Sequence, residues 1–156
     1  MIRPARPEDR AAMIAIIDTC LREIDDRLFL DGEGQDLMDV EAAYTRKGGA
    51  FVVLEVDGEV VGTHATLPVD PEKGVVTFRR LYLKHEQRGK GYGRDLMQWA
   101  IDWSRDNGFQ EIAFWSDIRF THAHAFFASF GFQRGETREM NDTPLPYREY
   151  RFSLRL

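Results

Sequence analysis

The sequence predicts a mixed α/β (α+β) fold, with about seven strands and four helices in the order β-α-α-β-β-β-α-β-α-β-β. Three observations predict it. Runs rich in β-branched and aromatic residues alternate with runs of helical periodicity along the whole chain. A turn with three glycines joins an apolar strand to a strongly amphipathic helix. The length of 156 residues, with no sign of a second unit, predicts one domain over residues 1–156.

A short strand and two helices are predicted at the start of the chain. Residues 2–5 are expected to form the strand, and Pro7 is favoured in the first turn of the helix that follows. Apolar residues recur at helical spacing from Ala12 to Ile24, so the first helix is expected to extend that far. A second, weaker helix is predicted over residues 35–45.

A hairpin and a third strand are predicted next. Residues 51–56 and 60–67 are β-rich runs joined by an Asp-Gly pair, and this pair tolerates the positive φ of a tight turn. Residues 68–74 are interpreted as the connection into the next strand, residues 75–83. That strand leads directly into the glycine-rich turn.

The rest of the chain is predicted to add two helices and three strands. The helix after the glycine-rich turn has apolar residues at helical spacing and an Asn-Gly pair as its stop. The predicted elements are a helix that stops at residues 107–108, a strand at 112–115, a helix at 122–130 that Gly131 stops, and strands at 133–140 and 147–156.

Composition and charge exclude several classes of protein. The formal net charge of −5 argues against nucleic acid as the main partner, because affinity for a phosphate backbone is largely electrostatic. The one cysteine, Cys20, excludes an internal disulfide and fits a reducing compartment. The N-terminus has no apolar signal core, and no run approaches the roughly 20 apolar residues that span a bilayer. We therefore expect a cytoplasmic protein without a membrane partner.

The glycine-rich turn has the composition of a phosphate-binding site. Gly89, Gly91 and Gly93 have no Cβ, so the backbone can come close to a ligand. The first N–H groups of the following helix have no partner within the helix, and they attract an anion. Three basic side chains add positive charge to the same turn: Arg88, Lys90 and Arg94.

Two common nucleotide-binding motifs are excluded. A P-loop needs Lys-Ser or Lys-Thr after its last glycine, whereas Gly93 is followed by Arg94 and Asp95. The dinucleotide motif Gly-x-Gly-x-x-Gly needs a third glycine at Arg94 or at Leu96, depending on the register. Neither position holds glycine, so the turn belongs to another class of phosphate site.

The remaining spacing, Arg88-x-x-Gly91-x-Gly93, resembles the acyl-CoA pyrophosphate loop of the GNAT family of N-acetyltransferases, with signature Gln/Arg-x-x-Gly-x-Gly/Ala. Residues 80–83 look like that family's fourth strand, and the Gly-Phe pair at 131–132 resembles the usual close of its fourth helix. The element order is similar from end to end. The resemblance implies a central mixed, mostly antiparallel sheet of six to seven strands that splays between strands 4 and 5.

The same resemblance implies acetyl-CoA as co-substrate, bound where those two strands separate. No metal is expected, because His122 and His124 are two positions apart on one predicted helix and face different ways. A backbone N–H of Tyr82 or Leu83 is then expected to donate to the thioester oxygen, which is worth roughly 3 kcal/mol in the transition state. The residues expected to contact the cofactor are Leu81, Tyr82, Leu83, Arg88, Gly89, Lys90, Gly91, Tyr92, Gly93, Arg94, Phe120 and Phe127.

Three positions depart from the family pattern. Phe127 stands where many members carry a tyrosine general acid, and Phe120 stands where an asparagine is frequent. Thr77 occupies the slot in which some members have an acidic base. General acid catalysis is typically worth 10²- to 10⁴-fold, but the departing thiolate has a pKa near the cysteine value of about 8.5 and needs little help. These departures predict slower chemistry rather than lost chemistry.

His124 and Asp117 are the candidate catalytic side chains that remain. His124 lies one turn before Phe127 on the same predicted helix, and Asp117 follows the fifth strand at the mouth of the expected cleft. The alternative is that Asp117 belongs to a loop or caps the helix, and that His124 is a surface or interface residue. The sequence favours this second interpretation about two to one.

The acceptor amine is less well defined. Acidic residues are frequent between Asp18 and Asp39, in the segment that resembles the family's variable acceptor-binding region, and a cationic acceptor would suit them. An ordinary solvated surface explains them equally well, and Arg79 with Arg80 would instead suit an acceptor that carries a carboxylate. The loop at residues 141–146 is expected either to close over the acceptor or to mediate a homodimer.

Two function classes follow. The leading one is an acetyl-CoA-dependent N-acetyltransferase that acts on a primary amine of a small molecule or a protein. The alternative is a CoA-binding module of the same fold with weakened catalysis, which Phe120, Phe127 and Thr77 suggest. A tight turn in an unrelated α/β domain is disfavoured, because the whole element order would then have to match by chance.

Overall fold

The computed structural model describes all 156 residues. Its helices are α1 (Arg10–Arg22), α2 (Val40–Ala43), α3 (Tyr92–Asp106) and α4 (Thr121–Ser129). Its strands are β1 (Ile2–Pro4), β2 (Ala50–Val56), β3 (Glu59–Asp70), β4 (Val75–Leu83), β5 (Glu111–Asp117), β6 (Gln133–Met140) and β7 (Tyr147–Arg155). None of the helices combines the length and the apolar character needed to cross a membrane.

All seven strands belong to one sheet, in the spatial order β1-β2-β3-β4-β5-β7-β6. Every neighbouring pair is antiparallel except β4 and β5, which are parallel. α3 connects these two parallel strands, as a crossover must. The predicted mixed, mostly antiparallel sheet with four helices is therefore confirmed.

β4 and β5 separate soon after they meet. They pair only at Val75 with Glu111 and at Val76 with Ile112. The remaining residues of both strands have no partner across this boundary, so a gap opens toward the carboxyl ends of the two strands. This gap is the expected splay of the sheet.

A bulge in β4 lies beside this gap. Arg79 is opposite Ala65 of β3, but Tyr82 is opposite Thr63, so β4 carries one more residue than β3 between the two pairs. Arg80 occupies the bulge with a φ of 59°, which is uncommon for a residue with a Cβ. The bulge lies beyond Val76, the last residue of β4 that pairs with β5.

The helices cover both faces of the sheet. Because successive strand residues point to opposite faces, Phe51 and Val53 pack with α1, whereas Val52 and Leu54 pack with Leu96 of α3. α3 and α4 share a second cluster, which is rich in aromatic residues. Its buried members are Val76, Phe78, Met97, Ala100, Ile101, Ile112, Phe114, Phe127, Phe132 and Phe152.

Two helix predictions are corrected. α1 ends at Arg22 rather than near Ile24, and Asp25 leaves the helix with a φ of 58°. The helix predicted over residues 35–45 is wrong, because that segment consists of short 3₁₀ turns around the single turn of α2. Asp39 interrupts it with a φ of −149°, and its carboxylate caps α2 by accepting a hydrogen bond from the Ala42 N–H at 3.1 Å.

Two strand boundaries are also corrected. β3 continues to Asp70, so the predicted connection at residues 68–74 is too long, and Pro68 pairs with Val76 at the end of the ladder. The pairing becomes irregular there because proline has no N–H to donate. The fifth strand, predicted over residues 112–115, spans Glu111–Asp117 because β7 pairs along its full length.

Candidate active site

The glycine-rich turn presents free backbone N–H groups at the start of α3. Gly91 precedes the helix with a φ of 87°, and Gly89 has a φ of 79°. The N–H of Asp95 is bonded to the Gly91 carbonyl at 3.1 Å, so the N–H groups of residues 92–94 lie ahead of the intrahelical ladder. A Cβ built on Gly89 or Gly91 would meet no atom within 4 Å. The space above the turn is open, as an anion site requires.

A cavity of about 890 Å³ connects this turn to the gap between β4 and β5. At one end it is lined by Arg88, Gly89, Gly91, Gly93 and Arg94. Its middle is lined by residues 77–83 of β4 and by residues 114–117 of β5. Its far end lies among charged residues of the segment after α1 and of β6, β7 and their connecting loop. The volume is that of a site for a cofactor or a drug-sized ligand.

The register of β4 decides which backbone groups face the gap. The N–H of Lys84 donates to the Val61 carbonyl of β3 at 2.9 Å, and Leu83 lies opposite Gly62. Because hydrogen-bonded and non-hydrogen-bonded pairs alternate in an antiparallel ladder, the N–H and C=O of Leu83 point away from β3 and those of Tyr82 point toward it. Of the two expected donors, Leu83 therefore has the orientation that a ligand in the gap requires.

Arg88 fastens the glycine-rich turn to α1 and β4. Its guanidinium donates to both carboxylate oxygens of Glu23, at 2.8 and 3.1 Å, and to the Leu83 carbonyl at 3.2 Å. The thiol of Cys20 lies at 3.5 Å from both the guanidinium and that carbonyl. Burial is the largest cause of the raised pKa of this thiol. Cys20 is therefore a packed, protonated side chain at the cavity wall.

Lys90 and Tyr92 do not line the cavity. The ammonium of Lys90 donates to the Gln87 side chain at 3.1 Å on the exposed side of the turn. The ring of Tyr92 packs instead against the apolar cluster that contains Leu54 and Leu96. Within the turn, the cavity is lined by the glycines and by the two arginines.

Asp117 lies at the end of β5 and is held by Arg119. The guanidinium of Arg119 donates to both carboxylate oxygens of Asp117, at 2.9 and 2.6 Å, and also to Asp26 at 2.8 Å. It donates in addition to the Ile24 carbonyl at 3.1 Å. Asp117 lines the cavity, but its oxygens are engaged in joining β5 to the segment after α1.

His124 is oriented away from the cavity. Its Nε2–H donates to the Asp117 carbonyl at 3.0 Å, and its ring packs on Tyr150 and Phe152 of β7. Burial is the main reason that the pKa of His124 is lowered. Of the two histidines on α4, it is His122 that lines the cavity, and this residue is exposed. The structure thus separates His124 from the gap.

Phe120, Phe127 and Thr77 all line the cavity, so the three departures from the family pattern lie together. The Phe120 ring meets the Tyr82 ring edge to face, with centroids 6.3 Å apart. Phe127 is 6% exposed and packs edge to face on Phe114, with centroids 4.9 Å apart. Phe127 therefore serves the aromatic core as well as the cavity wall.

The side chain of Arg80 is occupied by contacts within the fold. Its guanidinium donates to the two carboxylate oxygens of Asp36, at 3.0 and 2.7 Å. The pair of arginines considered for an acceptor carboxylate is therefore reduced to Arg79, which is exposed at the cavity rim. The sequence contained no signal for the contact between Arg80 and Asp36, because the two residues are 44 positions apart.

Glu33 is a cavity residue that the sequence did not single out. It lies between α1 and α2, and its neighbour Gly32 approaches the loop that joins β6 and β7: a Cβ on Gly32 would be 3.7 Å from the Asp142 carbonyl. The only sequence signal was that Glu33 belongs to the acidic segment after α1.

No group of three or more His, Cys, Asp or Glu side chains is arranged to hold a metal ion.

Comparison with known sequences identifies the family. A model of the acetyltransferase (GNAT) family matches residues 19–132. The chain is 30% identical over 103 residues to N-acetyltransferase 8 of Rattus norvegicus, in a match that covers 64% of this chain and 46% of the rat protein. The chain thus spans less than half the length of that relative. It is also 30% identical over 141 residues to aminoglycoside N(6')-acetyltransferase type 1 of Stenotrophomonas maltophilia, covering 86% of this chain and 87% of that protein.

Solved structures share the fold. An acetyltransferase from Streptococcus agalactiae 2603 matches with a TM-score of 0.81 at 19% identity, over 96% of each chain. A GNAT superfamily phosphinothricin acetyltransferase from Sinorhizobium meliloti, solved in complex with AcCoA, matches with a TM-score of 0.77 at 17% identity, over 100% of this chain and 88% of that one. With the family model matching most of its length, a glycine-rich turn at α3 and a sheet that splays between β4 and β5, the chain belongs to the GNAT family of acetyltransferases.

Proposed function

We propose that this protein is an acetyl-CoA-dependent N-acetyltransferase. It transfers the acetyl group to a primary amine of a small molecule or of a protein, by direct attack of the amine on the thioester. One observation carries the proposal: a single cavity joins the free N–H groups at the start of α3 to the gap beside Leu83. A cofactor with an anionic part and a reactive part several bonds away would need such a cavity.

Acetyl-CoA, when bound, supplies an activated acyl group as a thioester. The N–H groups of residues 92–94 would hold its pyrophosphate, because a helix start favours an anion. Arg94 adds charge at the same end of the cavity. The Leu83 N–H would donate to the thioester oxygen as negative charge develops there, an interaction worth roughly 3 kcal/mol.

The acceptor must lose a proton before it can attack. A primary amine with a pKa of about 10 is almost entirely ammonium at neutral pH, so a basic group or a chain of waters has to remove that proton. Phe127 has no hydroxyl with which to protonate the departing thiolate. Since a thiolate of pKa about 8.5 is a stable leaving group, water suffices for that step.

The relatives indicate which acceptors to test. The protein from Stenotrophomonas maltophilia, whose match covers 86% of this chain, is named for the acetylation of aminoglycosides. We therefore propose a panel that samples four amine classes: kanamycin as an aminoglycoside, spermidine as a polyamine, lysine as an amino acid, and a short peptide with a free N-terminal alanine. Release of free thiol from acetyl-CoA measures transfer to each.

The first experiment is a calorimetric titration of acetyl-CoA into the wild type and into Gly91→Glu. The substitution adds bulk and negative charge at the expected pyrophosphate site, so it should abolish a micromolar affinity. Gly58→Glu is a matched control: Gly58 has a φ of 78°, a Cβ there meets nothing within 4 Å, and the residue lies in the β2–β3 turn away from the cavity. Binding that survives in Gly91→Glu, or that Gly58→Glu weakens equally, would contradict the proposed cofactor site.

The second experiment separates the enzyme from a binding module. An acetyltransferase should release thiol faster with at least one amine of the panel than without an amine. A protein that binds acetyl-CoA but accelerates transfer to none of the four would instead be the CoA-binding module with weakened catalysis.

A further inference from the structure

Glu33 has a carboxylate oxygen that no protein group satisfies. Its Oε1 accepts a hydrogen bond from the Phe29 N–H at 3.2 Å, whereas its Oε2 is buried and has no hydrogen-bond partner. The residue lines the cavity. A buried carboxylate oxygen without a donor is costly, so a bound group that donates a hydrogen bond to it would be stabilised there.

The backbone at Glu33 is fastened to the strand that borders the gap. Arg80 donates from Nη2 to the Glu33 carbonyl at 2.6 Å, and its guanidinium is itself held by Asp36. Arg80 is the bulge residue of β4, three positions before Leu83. The bulge beside the gap therefore also holds the loop that carries Glu33.

The other buried carboxylates around this end of the cavity already have cationic partners. Asp117 and Asp26 share Arg119. Glu149 accepts two hydrogen bonds from Arg138, at 2.9 and 2.7 Å. Asp142 is exposed. Glu33 differs from these residues, because it has a buried carboxylate oxygen and no cationic side chain bonded to its carboxylate.

The surroundings make Glu33 a stronger base than an exposed glutamate. Burial is the largest cause of its raised pKa, and the charge of Asp142 on the β6–β7 loop acts in the same direction. The Phe29 N–H and the charge of Arg80 on β4 oppose the rise. Tyr147 of β7 is close enough for the Glu33 charge to contribute to its own raised pKa.

We propose that Glu33 contacts the acceptor amine and takes its proton. This inference rests on the proposed acetyltransferase function. A rotation of the Glu33 carboxylate turns Oε2 toward the cavity, where the ammonium gives it one proton, and the proton later leaves to solvent. The N–C bond then forms and the C–S bond breaks, and the second proton lost by the nitrogen neutralises the departing thiolate, directly or through water. Glu33 thereby acts as the general base, a role that the hydroxyl of Thr77 cannot fill.

The test is the pH profile of kcat/KM for Glu33→Gln, with acetyl-CoA and the fastest acceptor among kanamycin, spermidine, lysine and the peptide. The isosteric amide cannot take a proton, so we expect a loss of about 100-fold or more at pH 7. For an acceptor amine of pKa about 10, the remaining activity should rise about tenfold per pH unit between pH 7 and 9, since it depends on amine already deprotonated in solution. For the peptide N-terminus, whose pKa is about 8, the rise should level off near that pH. The wild type should be nearly flat over that range.

Three controls accompany this test. Glu72→Gln changes an exposed glutamate in the β3–β4 turn and should keep the wild-type profile. Calorimetric affinity for acetyl-CoA should stay within twofold in Glu33→Gln, which shows that the variant is folded. Added formate should restore part of the activity of Glu33→Ala, because a small carboxylate can enter the space that the side chain leaves.

Several results would overturn the inference. One is a wild-type pH profile in Glu33→Gln with kcat/KM within threefold, and another is a rise in KM alone with kcat unchanged. A third is the same pH effect in Glu149→Gln but not in Glu33→Gln. If the wild type binds acetyl-CoA but acetylates none of the four amines, the proposed function fails, and the role of Glu33 fails with it.

Discussion

Arg80 and Asp36 form a buried ion pair between the bulge of β4 and the segment before α2. Each side chain is 10% exposed, and two hydrogen bonds of 3.0 and 2.7 Å join the guanidinium to the carboxylate. The Tyr44 hydroxyl also donates to Asp36. Burial alone would raise the pKa of Asp36, but the bonds and charge of Arg80 outweigh it and lower that pKa. The pair joins β4 to the segment that carries Glu33 at the cavity wall.

Removal of Asp36 should therefore be strongly destabilising. Asp36→Ala leaves the Arg80 guanidinium buried without its counter-charge, and we expect the free energy of unfolding to fall by about 3 to 5 kcal/mol. Denaturant titration measures this change. Asp31→Ala removes an exposed aspartate of the same segment and should alter stability by less than about 0.5 kcal/mol. A loss below about 1 kcal/mol for Asp36→Ala would contradict the assigned role of the pair.

His64 should make the stability of the fold depend on pH. The effect should begin at a higher pH than the one at which carboxylates titrate. It is fully buried in β3, its Nδ1–H donates to the Leu96 carbonyl at 3.1 Å, and its Nε2 has no partner. Burial lowers its pKa from 6.5 to about 4. The unfolded chain therefore binds a proton at a higher pH than the folded chain does, and stability is lost as the pH falls from about 6.5 to about 4.

The expected loss over that window is about 3 kcal/mol. Denaturant titrations at pH 7, 6, 5 and 4 would measure it. His64→Met replaces the ring with an apolar side chain that does not titrate, so the slope between pH 6.5 and 4 should be much reduced whatever the stability of the variant at pH 7. An unchanged slope in His64→Met would assign the acid sensitivity to other groups.

Phe127 should be needed for stability as well as for the shape of the cavity. Its ring packs on Phe114, Phe132 and Phe152 in the cluster beneath α4. Phe127→Ala removes this packing and should lower the free energy of unfolding by about 3 to 5 kcal/mol. Phe127→Leu keeps most of the apolar volume and should lose less than half as much. Equal losses in both variants would show that the aromatic ring, rather than its volume, is required.

The order of elements and the glycine-rich turn were predictable because each depends on residues close together in the chain. Hydrophobic periodicity identified α1, α3 and α4 as helices, and β-rich runs identified the strands. The glycine-rich turn was identified from a stretch of eight residues, and the structure adds that Gly89 and Gly91 have positive φ. The helix prediction for residues 35–45 was wrong because contacts outside this segment, such as the pairing of Asp36 with Arg80, determine its backbone.

The residues that line the cavity beyond the glycine-rich turn were predictable only in part. Phe120, Phe127 and Thr77 line the cavity together, and their positions along the family pattern had grouped them. The orientation of His124 could not be predicted, because a rotation of one residue around a helix decides whether its ring meets β7 or the gap. The same uncertainty applied to Leu83, whose backbone direction depends on the register of β4 against β3.

The sequence by itself determined the class of fold, the glycine-rich composition of the turn before α3 and the resemblance to an acetyltransferase. These properties follow from short-range periodicity and from the absence of Cβ atoms at three positions. Tertiary structure alone decided which carboxylate at the cavity lacks a cationic partner. That outcome depends on Arg80, Arg119 and Arg138. Their partners Asp36, Asp26 and Glu149 lie 44, 93 and 11 positions away along the chain and meet them only after the sheet has formed.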